Sequence, residues 1–426
     1  MLKNYIRSFL MIFTEISNDE LRNFQQENNK RYLFSQSFDF ANVLKTKKQN
    51  YKILAVKDNN KILAYGVFIY FRYKKYFYKV TAQHGPIMDY SNTKLVKFYF
   101  EQLKKYYTKN LRVLCVRVNP FLNEKIYNDV KFIEYNEEAV STDNILTSFD
   151  YKALNDDLFT NPTLAPRCLY STELKPDLTT DNLIKNISTM AKRSINKALK
   201  ENIIVKEIDI FDNYYSKIFD NINKNTEKRI NFEVRDSTYF KILKKILKDK
   251  LHLMVSYLDC DLLISNLEKE NLSIINDKSN LVEKLNSKKI NRDKTLNKIA
   301  KLEESIIFNN NKISKITDLK NIYGNIIYLS CASFIESNQD FIYFSGGMIK
   351  ELSKFNGTYA IMYEMLKYAI ERNFKYFNFY GTSKDFDSED AADYSVLQFK
   401  RNFNGNIEYF MDNYEIRNAI GKIWKI

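Results

Sequence analysis

The sequence predicts an α/β protein made of two tandem units of mixed sheet and helix, with a long helical hairpin inserted into the second. Three observations carry this expectation. Runs of β-branched and aromatic residues alternate, twice along the chain, with runs of helical spacing. All five prolines precede residue 177, and no glycine lies between Gly85 and Gly324, so the middle of the chain lacks strong helix breakers. Residues 262–322 contain neither breaker and repeat their apolar side chains at heptad spacing.

In the first unit, Tyr51–Val56, Ile62–Tyr73 and Tyr76–Ala82 read as strands separated by turn signals. Lys94–Tyr107 has helical spacing, and Leu111–Val118 is a strand closed by Asn119-Pro120. The second unit reads as helix 182–201, strand 203–209, helices 212–229 and 236–249, and strand 251–258. After the insertion come strands 325–333 and 340–345, helix 357–372 and strand 375–380. Within the insertion Leu267, Ile274 and Leu281 recur every seven residues, followed by Leu285. Ile299, Leu302, Ile306, Ile313 and Ile316 form the returning seam, and the polar stretch around Asn286 and Asn291 is the expected tip. A solvated spacer or a dimerisation arm explains such a hairpin as well as a chemical role does.

A chain of 426 residues with 45% hydrophobic content can bury two or three cores. Its 66 Lys and Arg against 52 Asp and Glu, a formal charge of +14, favour an anionic partner such as RNA, a diphosphate or a membrane surface. An AT-rich genome accounts equally for the lysines. Four scattered cysteines and two histidines, with no CxxC or HxxxH spacing, argue against a structural metal site and a disulfide framework, and fit a reducing cytosol. The apolar run Phe9–Phe13 is too short for a signal-peptide core, and no stretch is long enough to span a bilayer. The expectation is a cytoplasmic protein, free to touch the inner face of the membrane.

Seven blocks follow one another from Met11 to about residue 412: IFTEIS, SQSFDFANVLK, HGPIMDY, VRVNP, TMAKRSINKALKENI, TEKRINFEVRDSTYFKIL and NFYGTSKDFDSEDAADYSVLQFKRNFNGNIEYF. Together they resemble the FemABX family of peptidoglycan bridge ligases, in the form that carries a coiled-coil arm. The resemblance implies two acetyltransferase-like (GNAT-type) domains. The expected boundaries are an N-terminal extension 1–10, a first domain 11–150, a second domain 151–261 and 323–412 around the arm 262–322, and a segment 413–426 returning to the first domain. With residues 1–10 outside the resemblance, Met11 is a candidate start.

The activity implied is transfer of Gly, Ala or Ser from aminoacyl-tRNA to the stem-peptide amine of a peptidoglycan precursor, lipid-linked or UDP-linked. The arm and the basic surface favour the lipid-linked form. The ester is already activated, so the resemblance implies no cofactor. It also assigns residues. Arg235 falls at the position of a diphosphate-binding arginine, and Tyr239 lies one helical turn on. Lys400 matches a lysine that stabilises the oxyanion or departing ribose oxygen, with Phe399 beside it. Tyr343 is a further substrate-binding candidate. Asn119 stands where the family often has Asp and can orient a substrate group but cannot act as a carboxylate base. Asn42 replaces a diphosphate-binding lysine, with Lys45 as the candidate substitute. Lys192, Arg193, Lys197 and Lys200 form a phosphate track for tRNA on one helix. The acidic run Asp385, Asp387, Glu389, Asp390 and Asp393 reads as an ordinary loop.

Two other classes fit parts of the sequence. An acetyl-CoA N-acetyltransferase would need a glycine-rich pyrophosphate turn, which Ser345-Gly346-Gly347 does not supply. A basic scaffold binding RNA or membrane would explain the charge and the arm but not the ordered blocks.

Overall fold

The computed structural model describes all residues except 1–10, 157–160, 162, 231–234, 287–290, 387, 392 and 425–426. The expected N-terminal extension lies outside the described residues, as do residues 287–290 of the expected arm tip. The chain opens with β1 (Ile12–Glu15), α1 (Asn18–Glu27), α2 (Phe38–Thr46), β2 (Tyr51–Asp58), β3 (Lys61–Tyr73), β4 (Phe77–Ala82), α3 (Thr93–Thr108) and β5 (Val113–Val118). Both first helices are fixed by serines: Ser17 begins α1 with a reciprocal cap to Glu20, and Ser37 begins α2 by accepting from the Phe40 N–H. Next come β6 (Asn123–Asn128), β7 (Lys131–Tyr135), α4 (Glu137–Ser148), β8 (Lys152–Ala153), β9 (Cys168–Glu173), α5 (Thr189–Lys200), β10 (Ile204–Glu207), α6 (Asn213–Ile230), α7 (Ser237–Leu247) and β11 (Leu251–Asp259). Two long helices follow, α8 (Cys260–Asn286) and α9 (Arg292–Tyr323). The chain ends with β12 (Ile326–Ser337), β13 (Asp340–Met348), α10 (Gly357–Glu371), β14 (Tyr376–Thr382), α11 (Tyr394–Arg401), β15 (Asn406–Phe410), β16 (Tyr414–Arg417) and α12 (Ala419–Ile423).

The strands form two sheets, in the orders β1-β2-β3-β4-β5-β16-β8 and β10-β11-β12-β13-β14-β9-β15-β6-β7. Each contains one parallel pair of adjacent strands, β4 with β5 and β13 with β14, amid antiparallel neighbours. Each parallel pair is bridged by a helix, α3 in the first sheet and α10 in the second, as a parallel connection requires. The first core packs α3 on its sheet through Val96, Tyr99, Phe100 and Leu103, all fully buried. The second packs α10 and α5 on its sheet through Ile361, Met362, Ala191 and Ile195.

Chain order and sheet membership differ at two places. β6 and β7, expected within the first unit, extend the second sheet because β6 pairs with β15, Glu408 opposite Ile126. β16 sits between β5 and β8 in the first sheet, with Ile416 opposite Val116. The expected single helix 182–201 is divided: a 3-10 turn ends at Asn186, Ile187 is extended, and Ser188 starts α5 by accepting from the Ala191 N–H. The Ser188 hydroxyl also donates to the Asn402 side chain at 2.7 Å, which holds the break in place.

The hairpin α8–α9 is antiparallel. Lys320 meets Asp261, Asn309 meets Asn271, and Lys278 meets Glu303, so partner numbers fall on one helix as they rise on the other. Its seam is apolar at Leu267, Ile299 and Ile316 and polar in the middle, where Asn271 bonds Asn309 and Asn310. A buried amide pair of this kind fixes register, because any slip leaves it unpaired.

Arg31 ties the segment between α1 and α2 to the second sheet. Arg31, between α1 and α2, donates from Nε and Nη2 to Asp340 at 2.8 and 2.6 Å and also bonds Glu408. Its guanidinium lies 3.8 Å from the centre of the Tyr376 ring. The backbone carbonyls of Asn29, Lys30 and Tyr32 accept from Gln339, Asn338 and Ser337 of the β12–β13 turn.

Candidate functional site

The parallel pairs of the two sheets end differently. β4 and β5 stay paired from Tyr78 to Ala82, and a further bridge joins Gly85 to Asn119. β13 and β14 pair only at Asp340–Tyr376, Phe341–Phe377 and Ile342–Asn378, then part. The separation starts where β14 bulges: the Asn378 side chain accepts the Tyr380 N–H at 2.8 Å, and Tyr380 takes a φ of +62°. A tyrosine in the left-handed region is strained, so this turn is held by its surroundings.

Part of that hold is Lys400, on α11. Its ammonium donates to the carbonyls of Tyr380 and Gly381 and is 3% exposed. Burial pulls its pKa down to about 8, with the Asp393 carboxylate opposing the shift. Asp393 in turn accepts from the Thr382 hydroxyl and the Ser383 N–H, both at 2.7 Å. The acidic loop is therefore tied to the end of β14 by this one carboxylate; Asp387 lies outside the described residues. Among the described residues no group of acids, histidines and cysteines could hold a metal ion.

The other side of Tyr380 faces a cationic cluster. Its ring lies 5.9 Å from Phe344, and the Arg235 guanidinium sits between the rings of Tyr239 and Phe344 at 4.6 and 4.7 Å. Arg235 also donates to the Tyr239 hydroxyl at 3.1 Å yet stays exposed. Local structure aims it. Asp236 caps α7 by accepting the Tyr239 N–H, and Asp220 of α6 accepts both the N–H and hydroxyl of Ser237 at 2.7 Å. From the first half of the chain, Lys47, at the end of α2, places its ammonium 4.8 Å from the Tyr239 ring. Two cations on one aromatic ring, one from each half of the chain, frame a face suited to a doubly charged anion.

With this geometry in view, comparison with known proteins is direct. A model of the FemAB family matches residues 16–418. The chain belongs to the FemAB family. The aminoacyltransferase FemA of Staphylococcus epidermidis is 30% identical over 339 residues, covering 79% of each chain. FemA of Staphylococcus aureus is also 30% identical, over 79% of this chain and 78% of its own. The crystal structure of FemX superposes with a TM-score of 0.79 at 19% identity, covering 97% of this chain and 99% of that one. Membership of the FemAB family makes the chain an aminoacyltransferase, and its two-sheet α/β fold is that of FemX.

Not every expected FemAB site residue meets this cluster. Arg235, Tyr239 and Lys400 converge on the splayed strands, with Tyr380 between them. Tyr343 does not join them. Its ring packs on Phe334 and Phe379 across the sheet, and strand alternation gives the cluster face to Phe344. Phe399 packs on Tyr359 and Phe403 at 5.2 and 5.5 Å, in the core. Lys45 is exposed, while Lys47 is the lysine of that turn that reaches Tyr239. Asn42 bonds Asn18 at 3.0 Å instead.

Asn119 is fully buried. Its amide donates to the carbonyls of Met411 and Asp412, at 2.7 and 3.4 Å, so it anchors the returning chain and has no NH group left to orient a substrate. Its Oδ1 and the Nδ1 of neighbouring His84 are buried with no partner in the protein. Lys192, Arg193, Lys197 and Lys200 are all exposed, opposite the buried face Ala191–Ile195–Ala198 of α5. They form a face of their own, on a different helix from the Arg235 cluster. Sequence reasoning missed Lys47, Phe344 and Tyr380. The alternation of β13 carried the signal for Phe344, whereas nothing in the sequence marks the bulge at Tyr380.

Proposed function

We propose that this aminoacyltransferase moves an amino acid from aminoacyl-tRNA to the stem-peptide amine of a peptidoglycan precursor, preferentially the lipid-linked one. The observation that carries the reading is the placement of Lys400 and Arg235 on opposite sides of Tyr380, at the mouth of the splay between β13 and β14. Arg235, with Tyr239 and Lys47, holds the precursor's diphosphate by charge-assisted bonds. The acceptor amine attacks the ester carbonyl, and the Lys400 ammonium stabilises the tetrahedral oxyanion. Collapse forms the amide, breaks the ester C–O bond and releases the ribose hydroxyl, which takes the proton lost by the amine. With Asn119 buried and spent on backbone carbonyls, that proton passes within the substrates. The exposed basic face of α5 meets tRNA phosphates, and the net positive charge supports work beside an anionic membrane.

The test is a transfer assay with lipid-linked and UDP-linked precursors and tRNA charged in turn with labelled Gly, Ala or Ser. The expected result is label in the lipid-linked precursor, abolished by prior ribonuclease. Consumption of acetyl-CoA with no transfer from any tRNA would replace this reading with an acetyltransferase.

A further inference from the structure

The hairpin of β3 and β4 projects from one end of the first sheet, and no acidic residue lies between Asp58 and Asp89. Beyond the pair Tyr70–Val80 its strands continue as Phe71–Lys79, Arg72–Tyr78 and Tyr73–Phe77, then turn through Lys74, Lys75 and Tyr76. Alternation puts Phe71, Tyr73, Phe77 and Lys79 on one face. There α12, which packs against β5, brings Trp424 to the Phe77 ring at 4.9 Å. Cations and rings interleave. The Lys74 ammonium lies 4.5 Å from the Trp424 ring, Lys79 4.5 Å from Tyr73, and Lys75 5.4 Å from Tyr76. Trp424 is still 41% exposed, Tyr76 62% and Ile423 77%. The Arg112 carbonyl accepts the Tyr78 N–H at 2.8 Å, which adds exposed Leu111 and Arg112 to the same end.

Neighbouring carboxylates are already taken: Asp150 pairs with Lys104, and buried Glu415 lies between Arg117 and Arg417. Arg72, Lys74, Lys75 and Lys79 have no salt-bridge partner among the described residues. The patch also shares an end and a face of the sheet with Lys47. That lysine, which lies over the Tyr239 ring, stands shortly before Asn50, whose carbonyl accepts the Tyr70 N–H at 2.9 Å. Phe71, on the patch face, packs into the same core as Ala41 and Leu44 of α2. From Tyr70 to Lys74 the hairpin extends about 14 Å, at 3.4 Å per residue.

We propose that the tip of the β3–β4 hairpin, with Ile423 and Trp424, is the surface that seats this enzyme on an anionic phospholipid bilayer. This rests on the reading of work beside such a membrane. Tryptophan and tyrosine favour the headgroup layer, which accommodates an apolar ring and a polar tip together. Lysines set among them gain from the negative surface potential. RNA phosphates would leave the exposed aliphatic side chains of Ile423 and Leu111 unused, whereas the acyl boundary takes them up. Seated this way, the turn that carries Lys47 stands about one hairpin length from the headgroups, the level at which a lipid-linked diphosphate is presented.

The test uses the full chain and vesicles of equal parts phosphatidylglycerol and phosphatidylcholine, with pure phosphatidylcholine as control. Because Trp424 is the sole tryptophan, its emission reports on the patch directly. The expected result is a blue shift on the anionic vesicles and quenching by lipids brominated along the acyl chain. Each lysine near the surface is worth about fivefold in affinity, so Lys74→Gln/Lys75→Gln weakens vesicle binding about 25-fold with an unchanged melting temperature. Transfer to precursor embedded in vesicles falls in this variant, while transfer to the same precursor in detergent micelles is kept. A wild type that binds the vesicles with its emission unmoved, and a variant of equal affinity, would overturn the surface and leave the membrane reading standing. A wild type that binds no anionic vesicle overturns the membrane reading itself. A Trp424 shift produced by tRNA or by self-association, and not by vesicles, would also sink the proposal and make the patch a contact of that other kind.

Discussion

Replacing Arg31 by Met tests the tie between the α1–α2 segment and the second sheet. The guanidinium is the sole positive group bonded to Asp340 and Glu408 among the described residues, and both carboxylates are buried. Burial raises the Asp340 pKa, whereas Arg31 and Ser171 hold that of Glu408 down. Removing the arginine strands two charges beside each other, and breaking a buried pair in this way costs about 3–5 kcal/mol. The lost contact with Tyr376 adds roughly 1 kcal/mol. For a chain of this size the unfolding entropy is roughly 0.9 kcal/mol per degree, from about 2.1 cal/mol/K per residue, so the melting temperature falls by about 4–7 °C. Calorimetry at neutral pH reads this shift, and it also reveals whether the two halves now melt separately. The triple change Arg31→Met/Asp340→Asn/Glu408→Gln removes the stranded charge and recovers most of the loss. A drop below about 1 kcal/mol for Arg31→Met, or no recovery in the triple variant, would refute the electrostatic account.

Arg235→Lys keeps the charge but loses the planar stack between Tyr239 and Phe344, so KM for a diphosphate-bearing acceptor rises about tenfold while kcat holds; equal KM values would remove Arg235 from that role. Lys47→Ala raises the same KM and leaves thermal stability unchanged, as expected of an exposed side chain. Lys400, with a pKa of about 8, gives kcat an alkaline limb centred there, because the ammonium is lost as pH rises; Lys400→Met removes the limb along with most of the rate, and a limb surviving in that variant belongs to another group. His84 is fully buried, with burial pulling its pKa to about 4, so it stays neutral while the unfolded chain takes up a proton. Stability therefore falls as pH drops from about 6.5 toward 4, by up to about 3 kcal/mol, and His84→Gln flattens that fall in acid-melt curves.

Much of the architecture was legible before any coordinates. The strands from Tyr51 to Val118 and the helix before β5 follow from β-branched runs and helical spacing. The arm follows from heptads without breakers. The helices opened by Ser17 and Ser37 were absent from the expected elements, although the N-cap signals stand in the sequence. The pairing of β6 and β7 with the second sheet was not legible, because pairing of distant strands leaves no local trace. Motif positions singled out Arg235, Tyr239 and Lys400, which the fold brings together around Tyr380. They could not reveal that Asn119 spends its amide on the backbone, that Tyr343 points away, or that Lys47 is the lysine in reach. Those facts depend on strand parity and on contacts between residues far apart in the chain, Asn119 with Met411 and Lys47 with Tyr239.

The placement of β16 has a consequence for synthesis. Residues 414–417 fill an interior lane of the first sheet, and Met411, Tyr414 and Ile416 complete its core. As the polypeptide emerges from the ribosome, the earlier strands of that sheet wait with one flank of β5 open until residues 414–417 have been made. The first half thus cannot mature ahead of the second, and a nascent chain stalled anywhere before residue 414 exposes a sticky β edge. Until that strand arrives, the open flank of β5 is the place where a partly made chain is most exposed to wrong pairing.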